Sequence, residues 1–262
     1  MSGDVPEPAY LDLIRPHTGH VTAVRSPSGG NSTADTVLIE AEHGTFFVKA
    51  VPNRPGGRRA SLLREAAINP YVAPDLSPVM RWRAQDETWI VLGFNVIEAR
   101  PADFTPGSPD LPAVVDILNR ITALPLPEVA RGWTETRWDA HADDPDFLRG
   151  DALLYTDIHP DNLLIGQTRT WAIDWSWPTR GAAFIDPALL VIQLIAAGHT
   201  PKAAEDWAAD CTAWNDADPR AVDAFAIATA RMWQTFSERR PEEAWMQAMA
   251  EATCQWTAYR DL

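Results

Sequence analysis

The sequence has few cysteines, few lysines and no long hydrophobic run. Its two cysteines, Cys211 and Cys254, are too few for a disulfide framework, and their spacing matches no zinc motif. The longest apolar stretch, PALLVIQLIAAG, is too short to span a bilayer. The first residues, MSGDVPEPAY, lack the basic and apolar regions of a secretory signal. We therefore expect a cytoplasmic protein without a membrane-spanning helix.

Positive charge is also in short supply. The 262 residues include 22 Lys and Arg against 36 Asp and Glu, which gives a formal net charge of −14. Nucleic acids and anionic membranes are bound through basic surfaces, so we expect neither as a partner. The acidity favours a cationic small molecule as partner, although solubility alone also accounts for it. We expect a monomer or a weak dimer.

The first half of the chain has the residue patterns of β-strands. A turn at Glu42-His43-Gly44 separates two of the apolar segments, and helical spacing begins at Leu62 and continues to Tyr71. The predicted strands are residues 21–25, 36–41, 45–51, 80–84 and 88–94.

The second half has the periodicity of helices, interrupted by two short strands, LLI and WAI. Pro201, Pro219 and Pro241 occupy positions suited to the first turn of a helix. The predicted helices are residues 111–124, 187–197, 203–214, 221–236 and 242–259. The fold class is therefore α+β, with a small antiparallel-sheet lobe over residues 1–94, a connector over 95–110 and a larger helical lobe over 111–262.

The stretch YTDIHPDNLLIGQTRTWAIDW at Tyr155–Trp175 places Asp157, Asn162 and Asp174 next to the apolar segments LLY, LLI and WAI. Carboxylates are costly to bury unless a cation compensates them. Oxygen ligands of this kind suit Mg²⁺, which takes its remaining ligands from water and phosphates. In phosphoryl transfer a further carboxylate orients the acceptor hydroxyl. We assign Asn162 and Asp174 to Mg²⁺ and Asp157 to the acceptor, the alternative being loop turns and caps.

This stretch, with the IDPALLV segment after it, resembles the aminoglycoside phosphotransferase family of the protein-kinase-like superfamily. That family typically has a His-Gly-Asp-x-His-x-x-Asn loop followed by Ile-Asp-Trp. The resemblance implies a two-lobed kinase-like fold, Mg²⁺ as cofactor and ATP or GTP as co-substrate. It also implies that Asp157 is the catalytic aspartate and that Asn162 and Asp174 are the Mg²⁺ ligands.

The same resemblance identifies residues that would support the catalytic loop. The sequence also departs from the family pattern at two positions. Asp186 matches a family aspartate that braces the catalytic loop, and its position before Pro-Ala also suits a helix cap. Tyr155 replaces the usual His, and Thr156 replaces the usual Gly. Tyr155 is expected to pack and hydrogen-bond beneath the loop. His159 matches the second His of the family loop. Its role is either to contact the substrate or to support the loop.

The nucleotide side requires a lysine on the third strand and a glutamate on the next helix. Lys49 lies on the third predicted strand, in a chain whose 22 basic residues include only one other lysine, Lys202. A phosphate-binding point charge is a reason to use Lys rather than Arg. We expect Glu65 to orient Lys49. Glu65 could instead pair with Arg58 or Arg64, and Lys49 with Glu40 or Glu42.

Further contacts are expected with the nucleotide and the acceptor. Backbone groups of the small-residue loop, at Ser28, Gly29 and Asn31, can cover phosphates, the alternative being a flexible hairpin. By resemblance, backbone groups of Gly93, Phe94 and Val96 would bond the purine. Trp175 and Trp177 could pack on a sugar or a cation, the alternative being a place in the core.

The sequence therefore predicts an O-phosphotransferase that acts on an aminoglycoside-like or other small hydroxyl compound. Two other hypotheses stay open. One is a catalytically silent nucleotide-binding or regulatory module on the same fold, which the Tyr155-Thr156 pair favours. The other is a metal-dependent hydrolase that uses the same carboxylates, for which Lys49 would be unnecessary.

Overall fold

The computed structural model describes residues 8–27 and 35–262. The chain forms two compact units, Met1–Arg100 with Gly166–Trp177, and Pro101–Ile165 with Pro178–Leu262. The first unit is built on a sheet and the second on helices, so the predicted α+β class is confirmed. The lobe boundaries read from the sequence stay a prediction.

A five-stranded antiparallel sheet organises the first unit. Its strands are β1 (Val21–Arg25), β2 (Asp35–Ala41), β3 (Gly44–Pro52), β4 (Met80–Gln85) and β5 (Trp89–Asn95). They follow the spatial order β1-β2-β3-β5-β4. Ala41 pairs with Gly44, so Glu42 and His43 form the predicted turn. Gly44 has a φ of +126°, a conformation that glycine adopts without steric cost.

Two helices cover opposite faces of this sheet: α1 (Leu11–Thr18) and α2 (Gly57–Val72). Side chains alternate between the faces of a strand, and β5 shows this directly. Val91 packs in one apolar cluster with Ile14 of α1, whereas Leu92 packs in the other with Leu62 of α2. The sequence predictions did not include α1, which has Pro16 inside it, although proline normally ends or kinks a helix.

The second unit, all of whose residues are described, is mainly helical. Its helices are α3 (Leu111–Thr122), α4 (Ile185–Ala196), α5 (Pro201–Ala208), α6 (Thr212–Asn215), α7 (Pro219–Arg239) and α8 (Ala244–Tyr259). Pro201 and Pro219 stand in first turns, behind the N-caps Thr200 and Asp218. Pro241 does not, because α8 begins only at Ala244.

One predicted helix, at residues 203–214, is broken into α5 and α6. The side chain of Asn119 on α3 fills the break. Its amide donates to the carbonyl of Asp210 at 2.9 Å, and its oxygen accepts the N–H of Thr212 at 2.9 Å. A residue far away in sequence thus satisfies the backbone groups that a continuous helix would have paired.

Short strands complete the fold: β6 (Ala99–Pro101), β7 (Ala152–Leu154), β8 (Leu163–Gly166), β9 (Thr170–Ala172) and β10 (Thr179–Gly181). β7 and β10 pair antiparallel, with Leu154 opposite Thr179. The YTDIHPDN loop follows β7, and Asp174 follows β9. Among the helices of the described residues, none has the length and apolar character needed to cross a bilayer.

Candidate active site

Lys49 is the centre of a buried charge cluster in the first unit. It lies on the face of the sheet that α2 covers, as does Val51 two residues along β3. Its Nζ donates to Glu65 Oε1 at 2.8 Å and Oε2 at 3.0 Å, and to Asp174 Oδ1 at 2.8 Å. The lysine is only 7% exposed, so two carboxylates bind its ammonium group away from bulk water.

Glu65 reaches Lys49 from α2 and is 4% exposed. The backbone N–H of Trp175 also bonds to its carboxylate. The other carboxylates considered for Lys49 have partners elsewhere. Glu40 pairs with Arg25 at 3.0 Å, and Glu42 accepts the N–H of His20 at 3.2 Å. The pairing of Lys49 in the structure is therefore with Glu65 and Asp174.

The electrostatics of the cluster keep Lys49 charged. Burial alone would lower the pKa of the Lys49 ammonium, but the charges of Glu65 and Asp174 outweigh burial and raise that pKa above its usual value. Burial would likewise raise the pKa of Asp174, and the bonds from Lys49 and Ser176 reverse the effect and lower it. Asp174 is therefore ionised near neutral pH.

Among the described residues, donors reach only one oxygen of the Asp174 carboxylate. Ser176 Oγ donates to Oδ1, the same oxygen that accepts Lys49, and Oδ2 accepts no hydrogen bond from the described residues. The residue has a φ of +56°, which non-glycine residues rarely adopt. Such backbone strain is typical of functional sites.

The predicted catalytic loop lies in the second unit, where it leaves β7. The backbone N–H of Tyr155 donates to Asp186 Oδ2 and that of Thr156 to Asp186 Oδ1, each at 2.8 Å. Tyr155 is buried, and its hydroxyl lies 3.4 Å from the carbonyl oxygen of Asn162. A single carboxylate thus fixes the start of the loop.

Asp186 does not cap the helix that carries it, so that part of the sequence prediction is wrong. α4 begins at Ile185, so Asp186 lies within its first turn, and no side chain of the described residues caps the helix. Instead, the carboxylate of Asp186 accepts two backbone N–H groups of the loop, as expected of a residue that supports the loop. Burial raises the pKa of Asp186 to about 6, although the N–H groups of Tyr155 and Thr156 and the charge of Arg137 act in the opposite direction.

The functional side chains of the loop remain accessible. Asp157 is exposed, and its carbonyl oxygen accepts the side-chain amide of Asn162 at 3.3 Å. His159 is exposed too, and its Nδ1 accepts the N–H of Asp161 at 3.2 Å. This bond caps the turn Pro160–Asn162, which gives His159 a role in loop support.

The oxygen atoms needed for a divalent cation are present on the two predicted ligands. The amide nitrogen of Asn162 is used within the loop, and among the described residues nothing donates to its amide oxygen. Asp174 has Oδ2 available in the same way. Within the described ranges, no three His, Cys, Asp or Glu side chains cluster as a metal site. The free oxygen of each residue is of the kind that Mg²⁺ binds, together with water and phosphate.

The residues predicted to bond the purine or cover the phosphates lie inside the sheet, just after it, or outside the described part of the chain. Gly93 and Phe94 lie within β5, between β3 and β4, so both neighbouring strands use its backbone groups. A Cβ on Gly93 would clash with the ring of Trp82, so close packing against that ring accounts for the glycine. Val96 follows β5 and keeps its backbone outside the sheet. Ser28, Gly29 and Asn31 lie outside the described residues.

The two tryptophans predicted to contact substrate have opposite environments. Trp175 is 1% exposed, and its indole N–H donates to the carbonyl of Ala172 at 3.0 Å. It therefore belongs to the core, and its predicted substrate contact is not retained. Trp177 is 44% exposed, and the guanidinium of Arg64 lies 5.4 Å from its ring centre.

Sequence analysis missed two residues that contact the predicted site. Ser176 bonds to Asp174, and its position two residues after that aspartate was the available signal. Arg137 donates to the hydroxyl of Thr156 at 3.0 Å. No local pattern in the sequence indicates this second contact.

Comparison with known proteins supports the fold. No protein-family model matches the sequence, and no curated protein matches it. Among solved structures, choline kinase LicA from Streptococcus pneumoniae is 13% identical, with a TM-score of 0.63 over 95% of this chain and 97% of that chain. Macrolide 2'-phosphotransferase MphH from Brachybacterium faecium is 17% identical, with a TM-score of 0.54 over 94% of this chain and 97% of that chain.

A thermostable mutant of aminoglycoside phosphotransferase APH(4)-Ia, in a ternary complex with ADP and hygromycin B, is as similar to this chain as choline kinase LicA is. It is 13% identical, with a TM-score of 0.63 over 95% of this chain and 99% of that chain. These likenesses confirm, at the level of the fold, the resemblance read from the YTDIHPDN motif. The chain has the two-lobed protein-kinase-like fold that these phosphotransferases share.

Proposed function

We propose that this protein is a phosphotransferase that moves the γ-phosphate of ATP or GTP to a hydroxyl group of a small molecule. The observation that carries the proposal is the buried ammonium group of Lys49, bound by Glu65 and Asp174. Apolar side chains of similar volume usually stabilise a fold as well as a buried ion cluster does. A chain with one other lysine thus keeps this cluster for a reason other than stability.

Each polar group has a role in this reaction. Lys49, oriented by Glu65, binds the α- and β-phosphates. Asp157 aligns the acceptor hydroxyl and takes its proton as the oxygen bonds to the γ-phosphorus. The bond from that phosphorus to the β-phosphate oxygen breaks, and the nucleoside diphosphate leaves with the electron pair. Mg²⁺, held by Asn162 and Asp174, would neutralise phosphate charge.

The acceptor in this proposal is a small, cationic hydroxyl compound. Similar structures include a choline kinase and an aminoglycoside phosphotransferase crystallised with hygromycin B. Both names point to small hydroxyl compounds, and the net charge of −14 favours a cationic one. The exposed ring of Trp177 is our candidate for a contact with the acceptor.

The proposal is tested with two variants and MgATP. We expect Asp157→Ala to bind MgATP as the wild type does in calorimetry but to transfer no phosphate. Lys49→Ala should weaken MgATP binding itself. Normal turnover by Asp157→Ala would remove the assignment of that residue.

The other two hypotheses give different results in the same experiment. A silent module would bind MgATP and transfer phosphate to no acceptor, even as wild type. A metal-dependent hydrolase would keep its full rate in Lys49→Ala, because its chemistry does not need a phosphate-binding lysine.

A further inference from the structure

Thr156 has a backbone conformation that does not suit its side chain. Its φ is +64°, and a β-branched residue in this region is an outlier, whereas glycine adopts it freely. The residue lies directly before Asp157. Any relaxation of Thr156 would therefore redirect the residue that the proposed reaction needs.

Arg137 binds the side chain of this strained residue. Its Nη2 donates to Thr156 Oγ1 at 3.0 Å, and its guanidinium lies 5.2 Å from the ring centre of Trp138. Thr156 is 5% exposed, so the hydroxyl is bound in a largely buried position. The contact fixes the side chain while Asp186 fixes the backbone N–H of the same residue.

Arg137 is itself held by a buried neighbour, Glu135, which is 2% exposed. Glu135 Oε1 accepts the backbone N–H of Arg137 at 2.6 Å, and Oε2 accepts the hydroxyl of Thr179 at 2.7 Å. Thr179 lies on β10 opposite Leu154, the last residue of β7 before the loop. The support of Arg137 is thus tied to the strand from which the loop departs.

We propose that Arg137 is a positioning residue that holds Thr156 in its left-handed conformation and thereby fixes Asp157. The inference rests on the proposed phosphotransferase function. It also gives a reason why this chain tolerates threonine where the backbone favours glycine: the hydroxyl gains a partner that glycine could not use.

Two substitutions of Thr156 separate strain from hydrogen bonding. Thr156→Val keeps the β-branch and loses the hydroxyl, so kcat for phosphate transfer from MgATP should fall about tenfold, with the KM for MgATP unchanged. Thr156→Gly loses both the β-branch and the hydroxyl. Glycine adopts the left-handed conformation without a side-chain contact, so the kcat of this variant should stay within about twofold of wild type. Equal impairment of the two variants would overturn the proposal.

Removing Arg137 gives the second half of the test. Arg137→Ala should lower kcat about tenfold in the wild type but less than about twofold in the Thr156→Gly background. Arg137→Lys, a milder change, should show the same dependence on background if the alanine variant does not fold. Arg231→Ala, which removes an exposed arginine paired with Asp143, is the matched control and should leave kcat unchanged. Equal losses in both backgrounds would contradict the inference.

Thermal unfolding distinguishes this inference from the proposed function. Arg137→Ala and Thr156→Val should each lower the unfolding midpoint. The drop caused by Arg137→Ala should be smaller in the Thr156→Gly background, where only the contacts of Arg137 with Trp138 and Glu135 are lost. If the wild type transfers no phosphate from MgATP to any acceptor or to water, the proposed function fails. The midpoints then decide whether Arg137 supports the conformation of Thr156, and additive shifts would exclude it.

Discussion

Lys49 is the single side chain on which the account depends most. Its charge is buried and bound by two carboxylates, so removing it leaves Glu65 in particular without compensation. We expect Lys49→Met to destabilise the fold by about 3 kcal/mol, because an unpaired buried carboxylate is costly. Urea denaturation at neutral pH measures this difference.

The other lysine provides the control. Lys202 lies on the surface of α5 and pairs with Asp206 one helical turn away. Lys202→Met should leave the urea midpoint close to that of the wild type, because exposed pairs contribute little. Equal effects of the two substitutions would show that Lys49 has no special electrostatic environment.

Asp186 should give the protein a pH dependence of defined sign. Its pKa is raised to about 6 in the fold from 3.8, so its contribution to stability is present at low pH and is lost as pH rises through 6. The stability of wild type relative to Asp186→Asn should therefore increase by about 1.4 kcal/mol between pH 7 and pH 5. Urea denaturation of both proteins at the two pH values measures it.

Asp143→Asn is the control for this pH range. The bonds and charge of Arg231 lower the pKa of Asp143 from its ordinary value of 3.8, so its contribution is lost only as pH falls below that value. The stability difference between wild type and Asp143→Asn should therefore stay constant between pH 7 and pH 5. A pH-independent difference between wild type and Asp186→Asn would contradict the account of that buried carboxyl.

Among the helices and strands, periodicity predicted the elements that are long or regular. The five strands of the sheet were predicted to within a residue at each end, because alternation and the turn before Gly44 mark them locally. α1, which has a proline within it, was not predicted, and the break between α5 and α6 was missed because Asn119 creates it from another helix. The second error comes from a tertiary contact that overrides the local pattern.

The break between α5 and α6 gives a testable consequence. Asn119→Ala removes partners from the carbonyl of Asp210 and the N–H of Thr212, and should destabilise the protein by about 1–2 kcal/mol. Urea denaturation measures this, with Gln234→Ala on the exposed side of α7 as control, since that side chain bonds only within its helix. A difference of zero between the two variants would mean that Asn119 does not hold the break.

For the molecule as a whole, the YTDIHPDN motif and the Ile-Asp-Trp that follows it were more informative about function than the composition was. Asp157, Asn162 and Asp174 were assigned from sequence because phosphoryl transfer requires carboxylate and amide groups, and because the motif resembles that of the aminoglycoside phosphotransferases. Arg137 could not be predicted, since only the fold brings it to Thr156. The core position of Trp175 was open for the same reason, because an aromatic residue after Asp174 fits a substrate pocket and a core equally well.

The central claim is that phosphate moves from a nucleotide to a small hydroxyl compound. The most direct measurement is a mass-spectrometric screen of amino alcohols, sugars, aminoglycosides and peptide antibiotics, incubated with MgATP or MgGTP and either wild type or Asp157→Ala. We expect the wild type to add a phosphate-sized mass to at least one compound and Asp157→Ala to add it to none. A product formed equally by both proteins would contradict the account, as would the absence of any product from a wild type that binds the nucleotide.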